Sequence, residues 1–446
     1  MRPVGVNKHK PSQIVYGDWS NHNYSSTLSS YSSVDYALIE TGTKYEPLDE
    51  EMNWQYAATY AEQGKRKEII SYYDGSLRTR QSVTRISSIM QAVVGETVYD
   101  YEGRPAVNIL PVPAFDQTLR FHPAFNISHV TSESYNKNDF DSLAGSNCSV
   151  TVAALKTSSG ASKYYSDQND SASSRNFGFI PDAHGYPITV TEYMADGTGR
   201  IKRQGGVGVS HQLGTEHETK YYYATPGEQE LDRLFGNAVG QNVHYQKEMV
   251  IDPNGQASVS YKDLSGKVIA TSLAGDAPDS MQSLSSESGA STTLNQLIKS
   301  ARSAARGVIE SDKVFVVSSD SSLHEISYKL EIPRYKIDSL PELCFDCVYE
   351  LEISLQDDCQ QEFLDGDPNT SGNQSIIRLV GVADEDFDVS CDSSVLTYDF
   401  TLDDSIDAEK ISVYLDQGRY TLHKSLSISK NAYEYYWSKL KSQPQI

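Results

Sequence analysis

Three groups of side chains have types and spacings that could do chemistry. His211, His217 and Glu218 fall together in HQLGTEHE. Two imidazoles and a carboxylate are a zinc-type donor set, but a helical H-E-x-x-H site needs its histidines one turn apart. Here they are six apart with Gly214 between them. That leaves a loop metal site, or loop histidines held by hydrogen bonds. Cys344, Cys347, Cys359 and Cys391 form the second group, a C-x-x-C pair followed by two thiols separated by 31 residues. Disulfides, a structural zinc site and free thiols are all open readings. A zinc ribbon uses two close pairs, and a redox C-x-x-C sits before a helix, whereas this one leads into strand-like sequence. Cys148 stands apart and is expected to be free. In the third group, Asp365-Gly366-Asp367-Pro368-Asn369 opens like a calcium loop. Thr370 and Ile376 occupy the places where an EF-hand needs Gly and Glu. This leaves an irregular calcium site using Asp384, Glu385, Asp386 or Asp388, or plain acidic loops. The stretch RQGGVGV lacks the Gly-Lys-Ser/Thr ending of a phosphate cradle. No Ser-His-Asp set can be singled out, and neither a catalytic residue nor a cofactor is expected.

The elements that must carry these residues are strands and turns. Asp-containing turns recur, at Asp74-Gly75, Asp100 to Arg104, Asp182 to Gly185, Asp196 to Arg200, Asp252 to Gly255 and Asp263 to Lys267, each followed by strand-like sequence. Glu62-Gln63-Gly64-Lys65 makes a further hairpin. An Asp side chain can cap turn amides, and Gly accepts the positive φ that other residues resist. A hairpin alone is marginal and must stack on its neighbours. The repetition therefore predicts one continuous antiparallel sheet over roughly 50–275. Thr225-Pro226-Gly227-Glu228 reads as a capping box with Pro at the first helical position. It predicts a helical excursion over 226–235, ended by Gly236.

Residues 276–311 are Ser-rich and then helical in pattern, with Leu294, Leu297, Ile298, Ala301 and Ala305 on one face, so a linker and connecting helix are expected there. From 312 to 428 the period becomes two. Ile326, Tyr328, Leu330 and Ile332 share a face, as do Tyr349, Leu351, Ile353 and Leu355, and then Leu396, Tyr398, Phe400 and Leu402. Strands at this spacing suggest an immunoglobulin-like β-sandwich. Residues 429–446 read as a C-terminal helix whose stripe of Tyr433, Tyr436, Trp437 and Leu440 is expected to pack on a core. The expected fold class is mainly β, a sheet wall followed by a sandwich, with a few short helices.

Composition agrees. The chain has 446 residues, 30 Tyr against 12 Phe and three Trp, and a net charge of −22. So acidic a surface argues against a nucleic-acid backbone or an anionic membrane as partner. No apolar run approaches the ~18 residues of a membrane span. The opening MRPVGVNKHKPSQIVYGDW lacks an apolar signal core, which suggests a piece of a longer chain or a cleaved product. Clustered cysteines in a β-rich acidic chain fit an exported protein.

The turns also carry a resemblance. Tyr-Asp followed by Gly and Arg or Lys resembles the YD-repeat, or Rhs, superfamily, here as Tyr73-Asp74-Gly75, Tyr99-Asp100 through Gly103-Arg104, and Tyr261 with Asp263, Gly266 and Lys267. The 252–255 copy lacks the Tyr, and the first copy has its Gly early. Longer phrases, GETVYDYEGRPAVNILPVP, DPNGQASVSYKDLSGKVIATSLAG and CFDCVYELEISLQDDC, resemble the non-toxin scaffold of very large exported bacterial YD-repeat proteins. The resemblance implies a spiralling β-sheet wall, of the kind that forms hollow shells in Rhs, toxin-complex and teneurin proteins and can enclose a toxin. With no self-cleavage motif or toxin tail, the chain would be an internal wall segment, secreted or at the bacterial surface. Its partners would be the remainder of the larger polypeptide and an enclosed toxin cargo. The alternative is a cell-surface binding module that recognises glycan or protein through the sandwich. A polysaccharide hydrolase on a β-scaffold is the third reading.

Overall fold

The computed structural model describes residues 4–7, 10–16, 52–62, 64–88, 91–114, 118–141, 152–169 and 179–274. Beyond these it describes 302–305, 307–319, 321–333, 335–336, 344–345, 349–359, 361, 363–364, 376–380, 395–401, 411–428 and the helical positions 430, 433–434, 437–438 and 441. The chain divides into two compact units, one of residues 1–136 and 154–188, the other of 137–153 and 189–446.

The chain is mainly β. A hairpin of β1 (Val4–Asn7) and β2 (Lys10–Tyr16) comes first. An antiparallel sheet of 11 strands comes next, its strands adjacent in chain order. They are β3 (Asn53–Ala61), β4 (Gly64–Tyr73), β5 (Thr79–Ile86), β6 (Gln91–Tyr99), β7 (Pro105–Pro113), β8 (Ile188–Tyr193), β9 (Ile201–Gly205), β10 (Thr219–Ala224), β11 (Tyr245–Ile251), β12 (Ala257–Asp263) and β13 (Val268–Leu273). The sheet expected over 50–275 is thus present. An excursion between β7 and β8 was not foreseen; it contains α1 (Gly160–Tyr164) and buries Tyr135 and Leu155.

Where alternation is strict a strand is one-sided. On β6, Ala92, Val94, Glu96 and Val98 turn inward. Ile70, Tyr72, Val83, Ala92 and Val94 form the core of the first unit, and a fully buried aliphatic side chain contributes roughly 1.5–3 kcal/mol. In the second unit Leu231, Met249, Ala257, Val259, Tyr261 and Val316 form another core. Leu231 belongs to α2 (Glu228–Phe235), whose start differs from expectation. Gly227 is the N-cap, its N–H donating to Glu230 at 2.9 Å. Thr225 and Pro226 lie outside the helix, and Glu230 rather than Glu228 supplies the reciprocal carboxylate.

The later strands are β14 (Arg302–Ala305), β15 (Val308–Val317), β16 (Ser322–Pro333), β17 (Tyr335–Lys336), β18 (Cys344–Phe345), β19 (Tyr349–Asp357), β20 (Ile376–Val380), β21 (Val395–Thr401), β22 (Ile411–Leu415) and β23 (Gly418–Ile428). Five of them pair in the order β14-β15-β23-β19-β20, and β21-β16-β22 make a three-stranded sheet. Leu351, Ile353, Leu355, Tyr420 and Leu422 share a core with Leu415 of β22. Two expectations are corrected here. Arg302–Ala305 is a strand on β15 rather than the end of a connecting helix; residues 276–301 lie outside the described residues. Tyr433 and Trp437 are helical but exposed, 59% and 49%, so these two do not pack on a core. Among the described residues no helix is long and apolar enough to cross a membrane.

Candidate functional site

The Asp turns are built alike, from hydrogen bonds within five residues. Asp74 Oδ1 accepts the N–H groups of Ser76 and Arg78, both at 2.9 Å, and Arg78 Nε donates to Oδ2 at 3.1 Å. Asp100 accepts the Arg104 N–H at 2.8 Å and its Nε at 2.7 Å. Asp252 and Asp263 each accept the N–H groups two and four residues on at 2.9 Å. Asp357 does the same for Cys359 and Gln361 at 2.8 Å. Asp196 accepts the Thr198 N–H at 3.0 Å and pairs with Arg200 at 2.7 Å. Burial acts upward on the Asp196 carboxyl, but hydrogen bonds from Thr198 and Arg200 outweigh it and hold the pKa at about 2.

The third residue after the Asp takes positive φ: Gly103, Gly199, Gly255 and Gly266 at 72–82°. In the first turn that residue is Leu77, at 62°. Gly75, singled out in the sequence as the turn glycine, is not among the positive-φ residues. The reason is the hydrogen-bond frame. Asp74 N–H to Arg78 O and Leu77 N–H to Asp74 O match Asp100 N–H to Arg104 O and Gly103 N–H to Asp100 O. The frame decides which position is left-handed, and Leu77 occupies it.

A second regularity lies just past each basic residue. The ladder register skips Arg80, Ala106, Lys202 and Ile269, each two residues past Arg78, Arg104, Arg200 and Lys267. The 252–256 turn, which closes on Gln256, has no such bulge. A bulge adds one residue to a strand and re-aims its side chain. In the first unit the Arg78 guanidinium also lies 4.9 Å from the Tyr99 ring centroid and fills the space beside Gly103.

The bulge at Arg80 builds a polar cluster in the first unit that borders a cavity of about 410 Å³. Arg80 Nε donates to Glu96 Oε1 at 2.7 Å, and its Nη2 to the Tyr135 carbonyl at 2.8 Å. Asn126 Nδ2 donates to Glu96 Oε2 at 2.6 Å, and Asn126 Oδ1 accepts the Ala161 N–H at 3.1 Å. Burial pushes the Glu96 carboxyl up, with Arg80 and Asn126 offsetting only part. Asp74 also lines the cavity. Burial acts upward on it, but hydrogen bonds from Arg78 and Ser76 outweigh this and lower its pKa. Two carboxyls pushed apart in this way are an acid–base signature. Here all four oxygens already accept hydrogen bonds from their own turn or from Arg80 and Asn126. The arrangement ties β5, β6 and the 118–136 segment together. Sequence reasoning missed it, although Glu96 on the apolar face of QAVVGETVY was a legible signal.

Of the residues expected to bear chemistry, the two histidines lie together and Glu218 turns away from them. Glu218 is buried, accepting the Gly214 N–H at 2.7 Å beside Arg203 at 3.5 Å. His211 and His217 are exposed neighbours, their ring centroids 5.6 Å apart. Cys359 is disulfide-bonded; the side chains of Cys148, Cys344, Cys347 and Cys391 lie outside the described residues, as do Asp365 to Asn369 and Asp384 to Asp388. Among the described residues no group of three or more His, Cys, Asp or Glu is placed to hold a metal ion. The register does align Asp312, His423 and Ser354 across β15, β23 and β19, with His423 Nδ1 and Asp312 Oδ1 at 2.5 Å. Among the described residues no hydrogen bond links Ser354 to His423, so the row is an Asp–His pair with a serine opposite. No protein-family model matches this chain, and no curated protein matches it.

Proposed function

We propose that the chain is a structural wall segment of an exported, bacterial YD-repeat protein, with an immunoglobulin-like sandwich following the wall, and that it performs no catalysis of its own. The observation that carries this reading is the sheet of 11 strands in chain order, turned at repeated Asp-centred loops of one design. Such a sheet spreads its stability over successive hairpins and spends its polar residues on turns rather than on a preorganised site. Its fitting use is to enclose or present a toxin or effector. The exposed Tyr433 and Trp437 rings, stacked at 6.5 Å, favour the second reading, a surface module that binds glycan or protein.

The native protein, isolated with an antibody to residues 52–274 and imaged by electron microscopy, should appear as hollow β-walled particles. Intact producing cells should lose the epitope to added protease. Compact particles without a lumen would favour the binding module. Turnover in a hydrolase screen of the purified chain would overturn the structural reading.

A further inference from the structure

The loop between β9 and β10 holds two histidines whose tautomer is set by their neighbours. His211 Nδ1 lies 3.2 Å from the His217 carbonyl, and His217 Nδ1 lies 2.8 Å from the Pro253 carbonyl. A carbonyl oxygen only accepts, so in both rings Nδ1 must carry the proton. A neutral imidazole has one ring proton, so both Nε2 atoms present lone pairs. This is the support that metal-ligating histidines have, with the far nitrogen donating to a carbonyl and fixing tautomer and ring orientation.

The spacing is compatible with a shared ion. With a metal–nitrogen distance of about 2.1 Å, each ring centroid lies roughly 3.2 Å from the ion, and a tetrahedral angle sets the centroids roughly 5.2 Å apart. The observed separation is 5.6 Å. The loop is also held in shape. Buried Gln212 donates to the Gly206 and Gly208 carbonyls at 2.7 and 2.9 Å, and buried Glu218 accepts the Gly214 N–H. Gly205 and Gly206 permit the close return, since a Cβ on Gly205 would meet the His211 carbonyl and the Leu213 nitrogen at 3.1 Å.

We propose that His211 and His217 form an open two-histidine site for a divalent transition metal, with the remaining coordination positions left to water or an incoming ligand. Glu218, grouped with them by sequence, is not a ligand, because its carboxylate is committed inside the loop. Imidazole donors suit zinc, nickel and copper rather than calcium or magnesium, and affinity should run copper above nickel and zinc.

The test is titration of the untagged chain with nickel, copper and zinc salts, followed by calorimetry and, for copper, by electron paramagnetic resonance. The expected result is one ion per chain, with the spectrum of two coordinated imidazole nitrogens. His211→Asn and His217→Asn place an amide N–H near the former Nδ1 and delete Nε2, so they separate ligation from loop support. Each should weaken nickel binding about tenfold or more, and the double variant should lose the one-per-chain event. Wild-type affinity in both single variants would overturn the site. So would copper bound through fewer than two nitrogens, a readout that needs no variant. Absence of saturable nickel binding up to about 1 mM would also overturn it.

Discussion

Glu96 occupies an inward position on β6 because alternation puts it in line with Val94 and Val98. A carboxyl there must be met by donors or stay protonated. Its folded pKa lies above the ordinary 4.5, so between these values the folded chain binds more protons than the unfolded one. Stability from this group is therefore fully present below about pH 4.5 and is lost as pH rises through the raised value. Glu96→Gln removes the titration. The stability of the wild type relative to this variant should fall as the pH rises above about 4.5, measured by chemical denaturation; a gap that widens toward neutral pH would refute the assignment. Glu96→Ala is a harsher change. It leaves Arg80 facing a site without its counter-charge and should cost about 3 kcal/mol at neutral pH. Leu77 is strained for a different reason. It holds φ of 62° with 69% of its surface exposed, so it packs little in return. Relief of the left-handed strain, about 1–2 kcal/mol, exceeds the added freedom of the unfolded chain, about 0.5–1 kcal/mol. Leu77→Gly should therefore raise stability by about 0.5 kcal/mol, and a loss would show that the side chain matters.

At the scale of elements the unit is turn plus bulge. The Asp frame sets the hairpin, the positive-φ residue closes it, and the bulge two residues past the basic side chain re-aims the start of the return strand. That aim brings a basic side chain to a glutamate at two copies. In the first turn it brings Arg80 onto Glu96. In the 194–200 turn it leaves Lys202 and Arg203 both within reach of Glu192, at 3.5 and 2.5 Å. Gly266 has nothing within 4 Å of a Cβ, so its requirement is conformational, at φ of 82°. Gly266→Val should cost about 2 kcal/mol or more, because a β-branched residue resists that region. Gly75→Ala, in the first Asp turn and without positive φ, should be close to neutral. Equal effects of the two in thermal denaturation would contradict the shared frame. The helix α2 is docked in the same economical way, with buried Lys247 of β11 reaching Glu230 at 2.6 Å.

At the scale of the whole molecule, the disulfide at Cys359 is placed where an Asp turn recurs. Cys359 lies two residues past Asp357 at the end of β19, beside Asp358, which pairs with Arg419 of β23. Arg419 also donates to the Tyr223 carbonyl of β10 at 3.1 Å, so within the second unit this corner joins the later strands to the large sheet. Cys359→Ser should cost about 2–4 kcal/mol, and calorimetry with and without reductant should show the same loss in the wild type. The fold class, the turns, the inward alternation and the existence of α2 were legible in the sequence because each rests on contacts within a few residues. Asp100 finds Arg104, and Leu351 shares a face with Ile353, whatever the rest of the chain does. Contacts distant in sequence were not legible. Arg80 with Glu96 and Asn126 depends on a bulge, His217 with Pro253 on two loops meeting, and Asp312 with His423 on a register spanning 111 residues. Arg302–Ala305, helical by pattern, is a strand because β15 offers it an edge. Local hydrogen bonds and periodicity are properties of the chain alone, whereas these pairings exist only once the chain has closed on itself.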